Sequence, residues 1–345
     1  MQLHYNQNCS FLMNIQQFCL DIESSRFYYM GIAMLFVIFY HLYCILPSFS
    51  FFSLFKFGYI GVDIFLFFSG FGLCFSYTKN TKLIFYKNRI FRIYPLYLIW
   101  AFVHAVFILL YQGIDINLFD IMGLITTLSY YGLGKIRANW YLSALFLLYT
   151  CFPLFFLLVN KFREISILLF SLLLPITVLH FFNFEWYHEV FICRLFPFIS
   201  GIYCYLLLHE NTPPKKSEYC RIFILFMILF ILGSTWGFCI GKYPFLIAGT
   251  TSIGIIFILW YFKKKIIKCG TAVTTISIFG KYSLEFFIGN CWTMLLIPLL
   301  NDFNKPFHNC TIYTSIIYLL SNIVFTWMLI QVNTYIQNNL LKLNK

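Results

Sequence analysis

Long apolar runs separated by short polar segments form almost the whole chain from residue 27 onward. A helix that crosses a bilayer needs about 20 mostly apolar residues, so each run is long enough to span a membrane. Ten runs meet this criterion: 27–46, 58–77, 93–112, 139–159, 165–183, 190–208, 222–241, 245–262, 276–299 and 312–336. The pattern therefore predicts an all-α, polytopic membrane protein with about ten transmembrane helices.

A further apolar segment, 116–132, differs from the ten runs because Gly and Ser interrupt it. A full span at this position would reverse every later loop and put Lys263–Lys265 on the outer side. Positive charge is normally retained in the cytoplasm. We therefore predict an interfacial or re-entrant segment here rather than an eleventh span.

The positions of Lys and Arg indicate the orientation of the chain. With the N terminus in the cytoplasm, 18 of these residues fall in inner segments, five fall in outer segments, and Arg194 lies inside a span. Cytoplasmic loops of membrane proteins carry an excess of Lys and Arg. We therefore expect both termini in the cytoplasm, and the net charge of +12 requires no nucleic-acid partner to explain it.

Composition agrees with a membrane protein. The chain is 61% hydrophobic and 10% charged, with a mean hydropathy of +0.81, whereas soluble domains carry roughly 25% charged residues. The 12 cysteines are scattered without the spacing of a zinc site. Most of them lie in apolar runs, where a thiol packs as a small hydrophobic group. We expect no metal and no permanently bound cofactor.

A single membrane domain, residues 26–338, accounts for most of the chain, because 209–220 is its only sizeable polar segment. Residues 1–25 are expected to form a cytoplasmic tail, and residues 339–345 a short second one. The start of the sequence lacks the basic region and cleavage site of a secretory signal. Met13 is a second candidate for the first residue.

Two ionisable residues lie near the predicted outer ends of the first two spans, His41 in the first and Asp63 in the second. Ionisable groups inside spans are costly and usually face a cavity or a partner. A carboxylate beside an imidazole orients the ring and stabilises its protonated form, as a general base requires. A polar pair that only joins two helices is the alternative interpretation.

Two arginines, Arg89 and Arg92, share one helical face at the predicted cytoplasmic start of the third span. Pro95 follows at a position that we interpret as the first turn of the helix. Arg binds phosphate with two parallel hydrogen bonds. The pair is therefore a candidate site for a phosphorylated cytosolic donor, and a role in orientation alone is the alternative.

Small and aromatic residues supply weaker candidates. Ser69 and Gly70 belong to a patch of small residues, which favours close helix packing over a narrow passage for a substrate. Trp140 and Tyr141 begin the fourth span on its predicted outer side, where aromatic residues commonly form a belt.

Three further charged residues lie in or beside apolar runs. Arg194 requires a partner inside the membrane, and Glu185 and Glu189 are the nearest candidates in the sequence. Lys281 and Glu285 are four residues apart, a spacing that fits an ion pair within one helix.

The order of these motifs resembles the acyltransferase-3 family of bacterial membrane O-acyltransferases. The matching segments, in chain order, are GIAMLFVIFYH ending at His41, GVDIFLFFSGF at 61–71, RIFRIYPLY at 89–97, WYL at 140–142, RLFPFISG at 194–201 and GKYSLE at 280–285. The resemblance extends from residue 26 to about residue 336.

The resemblance implies a multi-pass enzyme of the bacterial inner membrane that transfers an acyl group, most often acetyl. The expected donor is cytosolic acyl-CoA, and the expected acceptor is a hydroxyl of a surface glycan or of its lipid-linked precursor. By resemblance, His41 is the catalytic base and Asp63 its supporting acid, while Arg89 and Arg92 contact the donor. Ser69, Gly70, Trp140, Tyr141 and Arg194 match family positions whose role is less defined.

Two positions depart from the family pattern. The family usually has an arginine eleven residues before the His, where this chain has Met30; Arg26 lies one helical turn away and is a candidate substitute. The family also often has a His after the GKYSLE segment, where this chain has Asn290. An amide forms hydrogen bonds but cannot carry a proton between groups.

Other classes of protein also fit ten spans with buried charges. A transporter or flippase for a polysaccharide intermediate would be expected to have inverted repeats, and we find none in the sequence. A membrane glycosyltransferase or glycan polymerase would be expected to have paired aspartates on an outer loop, whereas the GIDIN segment has one. A purely structural subunit would leave His41, Asp63 and Arg194 without a role.

Overall fold

The structure is a computed structural model that describes residues 21–45, 55–181, 186–209, short pieces between 224 and 235, 244–265, 270–303 and 311–343. Every regular element within these ranges is a helix, and none is a strand. The described part of the chain is therefore all-α, as the apolar runs predict.

The helices follow the predicted apolar runs. In chain order, the described α-helices of eight or more residues, together with one shorter helix, are α1 (Arg26–Ile45), α2 (Ile60–Lys79), α3 (Lys82–Phe107), α4 (Leu118–Thr126), α5 (Trp140–Thr150), α6 (Phe152–Phe162), α7 (Glu164–Leu168), α8 (Leu174–Phe181), α9 (Trp186–Cys193), α10 (Leu195–Leu208), α11 (Pro244–Lys265), α12 (Gly270–Lys281), α13 (Ser283–Phe303) and α14 (Thr311–Leu343). Helix α3 continues as a π-helical turn over Ile108–Gln112.

Five described helical stretches are long and apolar enough to cross a membrane: Arg26–Ile45, Phe55–Lys79, Lys82–Gln112, Val190–Leu208 and Tyr313–Asn339. Helices α5 and α6 add a sixth if the two together form one broken span. The chain is thus a helical membrane protein. The total of ten spans and the orientation of the termini stay predictions, and most of the 222–241 run lies outside the described residues.

The chain forms two compact units. The first contains the described parts of residues 1–35, 59–79 and 152–281, and the second those of 36–58, 80–151 and 282–345. Helix α1 contributes its first half to one unit and its second half to the other.

In the first unit, α2 and α10 pack with their backbones in contact. A Cβ added to Gly70 would lie 2.1 Å from the carbonyl oxygen of Phe198, and one added to Gly201 would lie 2.0 Å from that of Phe67. Side chains cannot approach so closely, so both positions require glycine. Small residues allow such close approach between membrane helices, and the packing interpretation of Gly70 agrees with this contact.

The segment before α1 packs on α11 in the same unit. The Trp260 indole donates to the carboxylate of Asp21 over 2.8 Å, and Lys263 donates to the hydroxyl of Ser25. Ile22 is buried. Residues 21–25, which we expected to be part of a cytoplasmic tail, are therefore packed against the helices.

In the second unit, α14 packs on α13 and on the second half of α1. A Cβ on Gly289 would lie 2.8 Å from Oγ1 of Thr326 in α14. The hydroxyl of Tyr318 in α14 contacts the backbone carbonyl oxygen of Ile38 in α1 over 2.9 Å. These contacts bring the helix of Asn290 beside the helix of His41.

Helix α3 begins much earlier than the apolar run that predicts it. Thr81 caps it by accepting from the N–H of Ile84, and the helix starts at Lys82. The expectation that Pro95 lies in the first turn is wrong, since Pro95 is inside the helix. Arg89 and Arg92 are likewise helical residues, several turns from the end of α3.

Two predicted runs are broken into two helices each. The run 139–159 is interrupted at Cys151, because Pro153 has no N–H to donate to a helix that would continue from α5. The run 276–299 consists of α12, which ends at Lys281, and α13, which begins at Ser283.

The 116–132 segment contains only a short helix, α4, of nine residues. Because a span needs about 20 residues, this segment is not an eleventh transmembrane helix in the described structure. Asn117 and Asp120 form a capping box, and the carboxylate of Asp120 also accepts from the N–H of Lys135. Those backbone donors, Lys135 first, hold the pKa of Asp120 below its usual value.

Candidate functional site

The imidazole of His41 is half-buried and is held from one side by an amide. Its Nδ1 lies 2.6 Å from the side-chain amide of Asn290 in α13. The ring of His41 also hydrogen-bonds to the backbone of Val37, one turn earlier in α1. These two contacts fix the position of the ring.

Two residues of α14 hold the Asn290 amide in turn. The side chains of Tyr318 and Asn322 both contact the amide atom of Asn290 that faces away from His41. The distance from this atom to the side-chain amide of Asn322 is 3.0 Å. Asn290 and Tyr318 are fully buried, and Asn322 is 2% exposed. A buried chain of polar groups thus runs from α14 to His41.

Sequence reasoning missed Tyr318 and Asn322, although it noted Asn290 as a departure from the family pattern. Asn322 carries a usable signal, since it is an amide inside the apolar run 312–336 and such groups need a partner. Nothing in the sequence indicates that its partner would be Asn290, 32 residues away along the chain.

The start of α5 lies next to the same network. Asn139, which caps α5, donates to Sγ of Cys291 over 3.3 Å, and Cys291 directly follows Asn290. The rings of Tyr141 and Phe287 lie 4.7 Å apart. Trp140 and Tyr141 are therefore close to α13, the helix whose Asn290 contacts His41, in the same unit.

The arginines of α3 belong to this unit as well. Arg89 is half-buried and Arg92 is exposed. Among the described residues, Nε of Arg89 is a buried donor without a hydrogen-bond partner. The guanidinium of Arg89 therefore retains unused donor capacity.

Asp63 and Arg194 form a buried ion pair in the first unit. Nε of Arg194 lies 3.5 Å from Oδ1 of Asp63, and the two side chains are 2% and 0% exposed. Nη2 of Arg194 also donates to the carbonyl oxygen of Tyr59 over 3.4 Å. The predicted Asp63–His41 pairing stays a prediction.

Asp63 therefore supplies a carboxylate that Arg194 requires. Of the two carboxylates proposed from the sequence for this purpose, Glu185 lies outside the described residues. Glu189 is in α9, but its side chain is outside them as well.

Arg26 and Ser69 lie in the first unit. A Cβ on Gly72 would lie 2.5 Å from Nη1 of Arg26, so the guanidinium packs directly on the backbone of α2. Ser69, beside the packed Gly70, is half-buried. Arg26 thus contacts the helix of Asp63, although at a position nine residues further along.

Lys281 and Glu285 do not lie in one helix, which removes the basis for the predicted pair within a single helix. Lys281 is exposed at the end of α12, whereas Glu285 is buried in the first turn of α13. The carboxylate of Glu285 accepts from Nδ2 of Asn333 in α14 over 2.6 Å.

Within the described residues, no group of three or more His, Cys, Asp or Glu side chains could hold a metal ion. The candidate site in the second unit combines the imidazole of His41, the amide network of Asn290, the aromatic donors Trp140 and Tyr141, and the arginine pair of α3. A neutral imidazole held at one nitrogen can accept a proton at the other.

Comparison with known proteins assigns the chain to a family. A family model described as an acyltransferase domain, of the acyltransferase-3 type, matches residues 31–331. The chain belongs to that family, as its motifs indicate. The searches of curated proteins and of solved structures find no match.

Proposed function

We propose that this acyltransferase moves an acyl group, in particular acetyl, from cytosolic acyl-CoA to a hydroxyl of a surface glycan or its lipid-linked precursor. Family membership supports the transfer of an acyl group. One observation carries the mechanism, namely that a buried amide anchors His41 at Nδ1.

In the proposed reaction, His41 acts as general base. The acceptor hydroxyl oxygen attacks the thioester carbonyl carbon while Nε2 of His41 takes the hydroxyl proton. The new C–O bond forms, the C–S bond breaks, and the thiolate of CoA takes the proton from the imidazolium. General-base assistance of this type is worth roughly 10²- to 10⁴-fold in rate.

The developing oxyanion needs a hydrogen-bond donor near the reacting carbon. Arg194 is the weakest of the three predicted candidates, because its guanidinium is already engaged with Asp63. The indole N–H of Trp140 or the hydroxyl of Tyr141 is better suited, since the start of α5 contacts α13 beside Asn290.

The donor site that we propose is the face of α3 that carries Arg89 and Arg92. Free guanidinium N–H groups bind phosphate oxygens well, and Arg89 keeps a buried Nε that has no described partner. We propose that the enzyme is a multi-pass protein of the bacterial inner membrane, with this face towards the cytoplasm and the acceptor on the outer side.

Substitution of His41 by Ala tests the base. Because no other described histidine joins this amide network, we expect glycan acylation to fall by at least about 100-fold. Mass spectrometry of surface glycans from cells that carry either form measures the acetyl content of each repeat. The amount of membrane-inserted protein, measured on immunoblots of washed membranes, should stay unchanged.

His104→Ala is the matched control. His104 is also a half-buried histidine in an apolar helix of the same unit, where it stacks on Trp100. Acylation should survive this change. A His41→Ala variant that still acylates glycans would remove the proposed base.

A further inference from the structure

The polar network around Asn290 contains one hydroxyl, two amides, one imidazole and one backbone carbonyl, and the ring of His41 also hydrogen-bonds to the backbone of Val37, one turn earlier in α1. Four contacts link them: His41 Nδ1 to Asn290 over 2.6 Å, Tyr318 to Asn290, Asn322 to Asn290 over 3.0 Å, and Tyr318 to the carbonyl oxygen of Ile38 over 2.9 Å. Each contact needs one hydrogen. The two ends of a side-chain amide look alike in shape, so its orientation must be deduced from the hydrogens available.

In one orientation, the nitrogen of Asn290 faces His41. The oxygen of Asn290 then accepts from Asn322 and from Tyr318. The hydroxyl of Tyr318 has a single hydrogen, yet it faces two acceptors, Asn290 and the carbonyl of Ile38. One of these oxygen–oxygen contacts is left without a hydrogen, and the second N–H of Asn290 has no described partner.

In the other orientation, both amides are rotated by half a turn and all four contacts gain a hydrogen. The oxygen of Asn290 accepts from Nδ1–H of His41. Its two N–H groups donate to the hydroxyl oxygen of Tyr318 and to the side-chain oxygen of Asn322. The hydroxyl of Tyr318 then donates to the carbonyl of Ile38, an atom that can only accept.

The second orientation is favoured because buried polar groups are expensive when they lack partners. Asn322 does not distinguish the two orientations. The side-chain amide atom of Asn322 that faces away from Asn290 has no described partner in either of them. The deciding group is Tyr318, whose one hydrogen must go to the backbone carbonyl.

We propose that Asn290 is a positioning residue that holds His41 in the tautomer with its proton on Nδ1, and that Tyr318 and Asn322 fix the orientation of its amide. This inference rests on the proposed function, because it leaves the lone pair of Nε2 to accept the proton of the acceptor hydroxyl. The opposite tautomer carries a hydrogen on Nε2 and cannot act as a base there.

An amide performs this task without a buried charge. In catalytic triads a carboxylate sets the tautomer of the histidine, and loss of that carboxylate lowers kcat by about 10⁴-fold through the wrong tautomer. Asn290 has a carbonyl oxygen that accepts from Nδ1–H in the same way. Its neutral side chain avoids the large cost of an unpaired carboxylate in an apolar site.

The tautomer can be measured directly in the wild-type protein. The protein is labelled with [¹⁵N]histidine, reconstituted in lipid bilayers at a pH where imidazole is neutral, and studied by solid-state NMR. It contains seven histidines, and subtraction of the His41→Gln spectrum isolates His41. We expect the proton on Nδ1 and a lone pair on Nε2, whereas a proton on Nε2 would overturn the proposal.

Kinetics of two variants provide a second test. Asn290→Leu removes the acceptor and should lower kcat for transfer from acetyl-CoA by at least about 10-fold, with little change in KM. Asn290→Asp restores an acceptor for Nδ1–H, while Asn322 and Tyr318 can reorient to donate to it. We expect Asn290→Asp to recover most of the lost kcat, and an Asp variant as slow as the Leu variant would contradict the positioning role.

Thr293→Val is the matched control for these variants. Thr293 is buried in α13 one turn after Asn290, and its hydroxyl donates to the carbonyl oxygen of Gly289. Removal of this hydroxyl tests whether the loss of any hydrogen bond in α13 lowers kcat. We expect kcat to stay within about 3-fold of the wild-type value, because a single hydrogen bond contributes little to stability. A fall equal to that of Asn290→Leu would assign the effect to helix packing.

The failure of this inference differs from the failure of the proposed function. If His41→Ala keeps glycan acylation, the base itself is wrong, whatever the tautomer. If His41→Ala is inactive but the NMR spectrum has the proton on Nε2, the assignment of His41 as the base is kept. Asn290 then does not have the positioning role proposed for it.

Discussion

At the scale of single residues, the candidate site depends on amide groups more than on charges. His41 is anchored by Asn290, and the carboxylate of Asp63, which we expect to support His41, forms an ion pair with Arg194 in the first unit. A general base needs a defined tautomer and a fixed orientation. Both can come from a neutral acceptor if other buried groups hold that acceptor in place.

The ion pair of Asp63 and Arg194 has a separate consequence for stability. Both groups are almost fully buried, so each compensates for the other's lost hydration. Removal of one partner from a buried pair leaves an isolated charge, whereas replacement of both by apolar residues is often neutral.

We therefore predict that Arg194→Leu destabilises the protein by about 3–5 kcal/mol. The double variant Asp63→Leu with Arg194→Leu should recover most of this loss. Unfolding of the detergent-solubilised protein, followed by circular dichroism, measures both effects.

Lys82→Leu is the control for the loss of a cation, because Lys82 is exposed at the start of α3. Its effect should be within about 0.5 kcal/mol of zero. If the double variant is as unstable as Arg194→Leu, the ion pair is not the cause of the destabilisation.

At the scale of secondary-structure elements, α3 contains a proline that the rest of the second unit accommodates. Pro95 has no N–H to donate to the carbonyl of Phe91, four residues earlier. Nε2 of Gln337 in α14 donates to that carbonyl over 2.8 Å. A side chain from another helix thus replaces the missing backbone donor and links α14 to α3.

A double-mutant cycle tests this replacement. Gln337→Leu should cost roughly 0.5–1.5 kcal/mol of stability, because it leaves the Phe91 carbonyl without its donor. After Pro95→Ala, the backbone N–H of residue 95 can bond to that carbonyl, so Gln337→Leu should then cost much less. The difference, measured by unfolding in detergent, is the coupling free energy.

An equal cost of Gln337→Leu in both backgrounds would contradict the replacement. Asn339→Leu is the control, since Asn339 also lies near the C-terminal end of α14 and is half-buried. Its cost should be independent of whether residue 95 is Pro or Ala.

At the scale of the whole molecule, the proposed chemistry requires access from both sides of a membrane. The excess of Lys and Arg in the predicted inner segments predicts that Arg89 and Arg92 lie on the cytoplasmic side and His41 towards the outer side. The donor is charged and bulky, so its phosphates should remain on the side on which it binds.

We predict that inside-out membrane vesicles transfer the acetyl group of added acetyl-CoA, whereas right-side-out vesicles do not. The double variant Arg89→Ala with Arg92→Ala should raise the KM for acetyl-CoA by about 10- to 100-fold, as expected for the loss of charge-assisted hydrogen bonds. Incorporation of radiolabelled acetyl groups into the membrane glycan fraction measures both effects.

The variant Lys82→Ala with Lys87→Ala removes the same amount of charge from the same helix and serves as the control. Its KM should stay close to that of the wild type. An unchanged KM in the arginine variant would reduce Arg89 and Arg92 to determinants of orientation, and equal transfer in both kinds of vesicle would reject the predicted sidedness.

The sequence by itself determined the class of protein and the family. Apolar runs of sufficient length specify membrane helices because no backbone polar group can be left unpaired in lipid. The motifs around His41, Asp63 and Arg89 are local in the chain, so they could be recognised without a structure. The prediction that 116–132 is not a span comes from the distribution of Lys and Arg over all later loops, which the sequence also contains.

Tertiary structure alone decided which polar groups pair. Asp63 contacts Arg194 at a sequence distance of 131 residues, Gln337 contacts the carbonyl of Phe91, and Asn290 joins His41 to Tyr318 and Asn322. Polar groups in apolar surroundings must find partners, and the sequence indicates that need but not the partner. The choice of partner depends on which helices pack together, and close approach at glycines such as Gly70, Gly201 and Gly289 sets that packing.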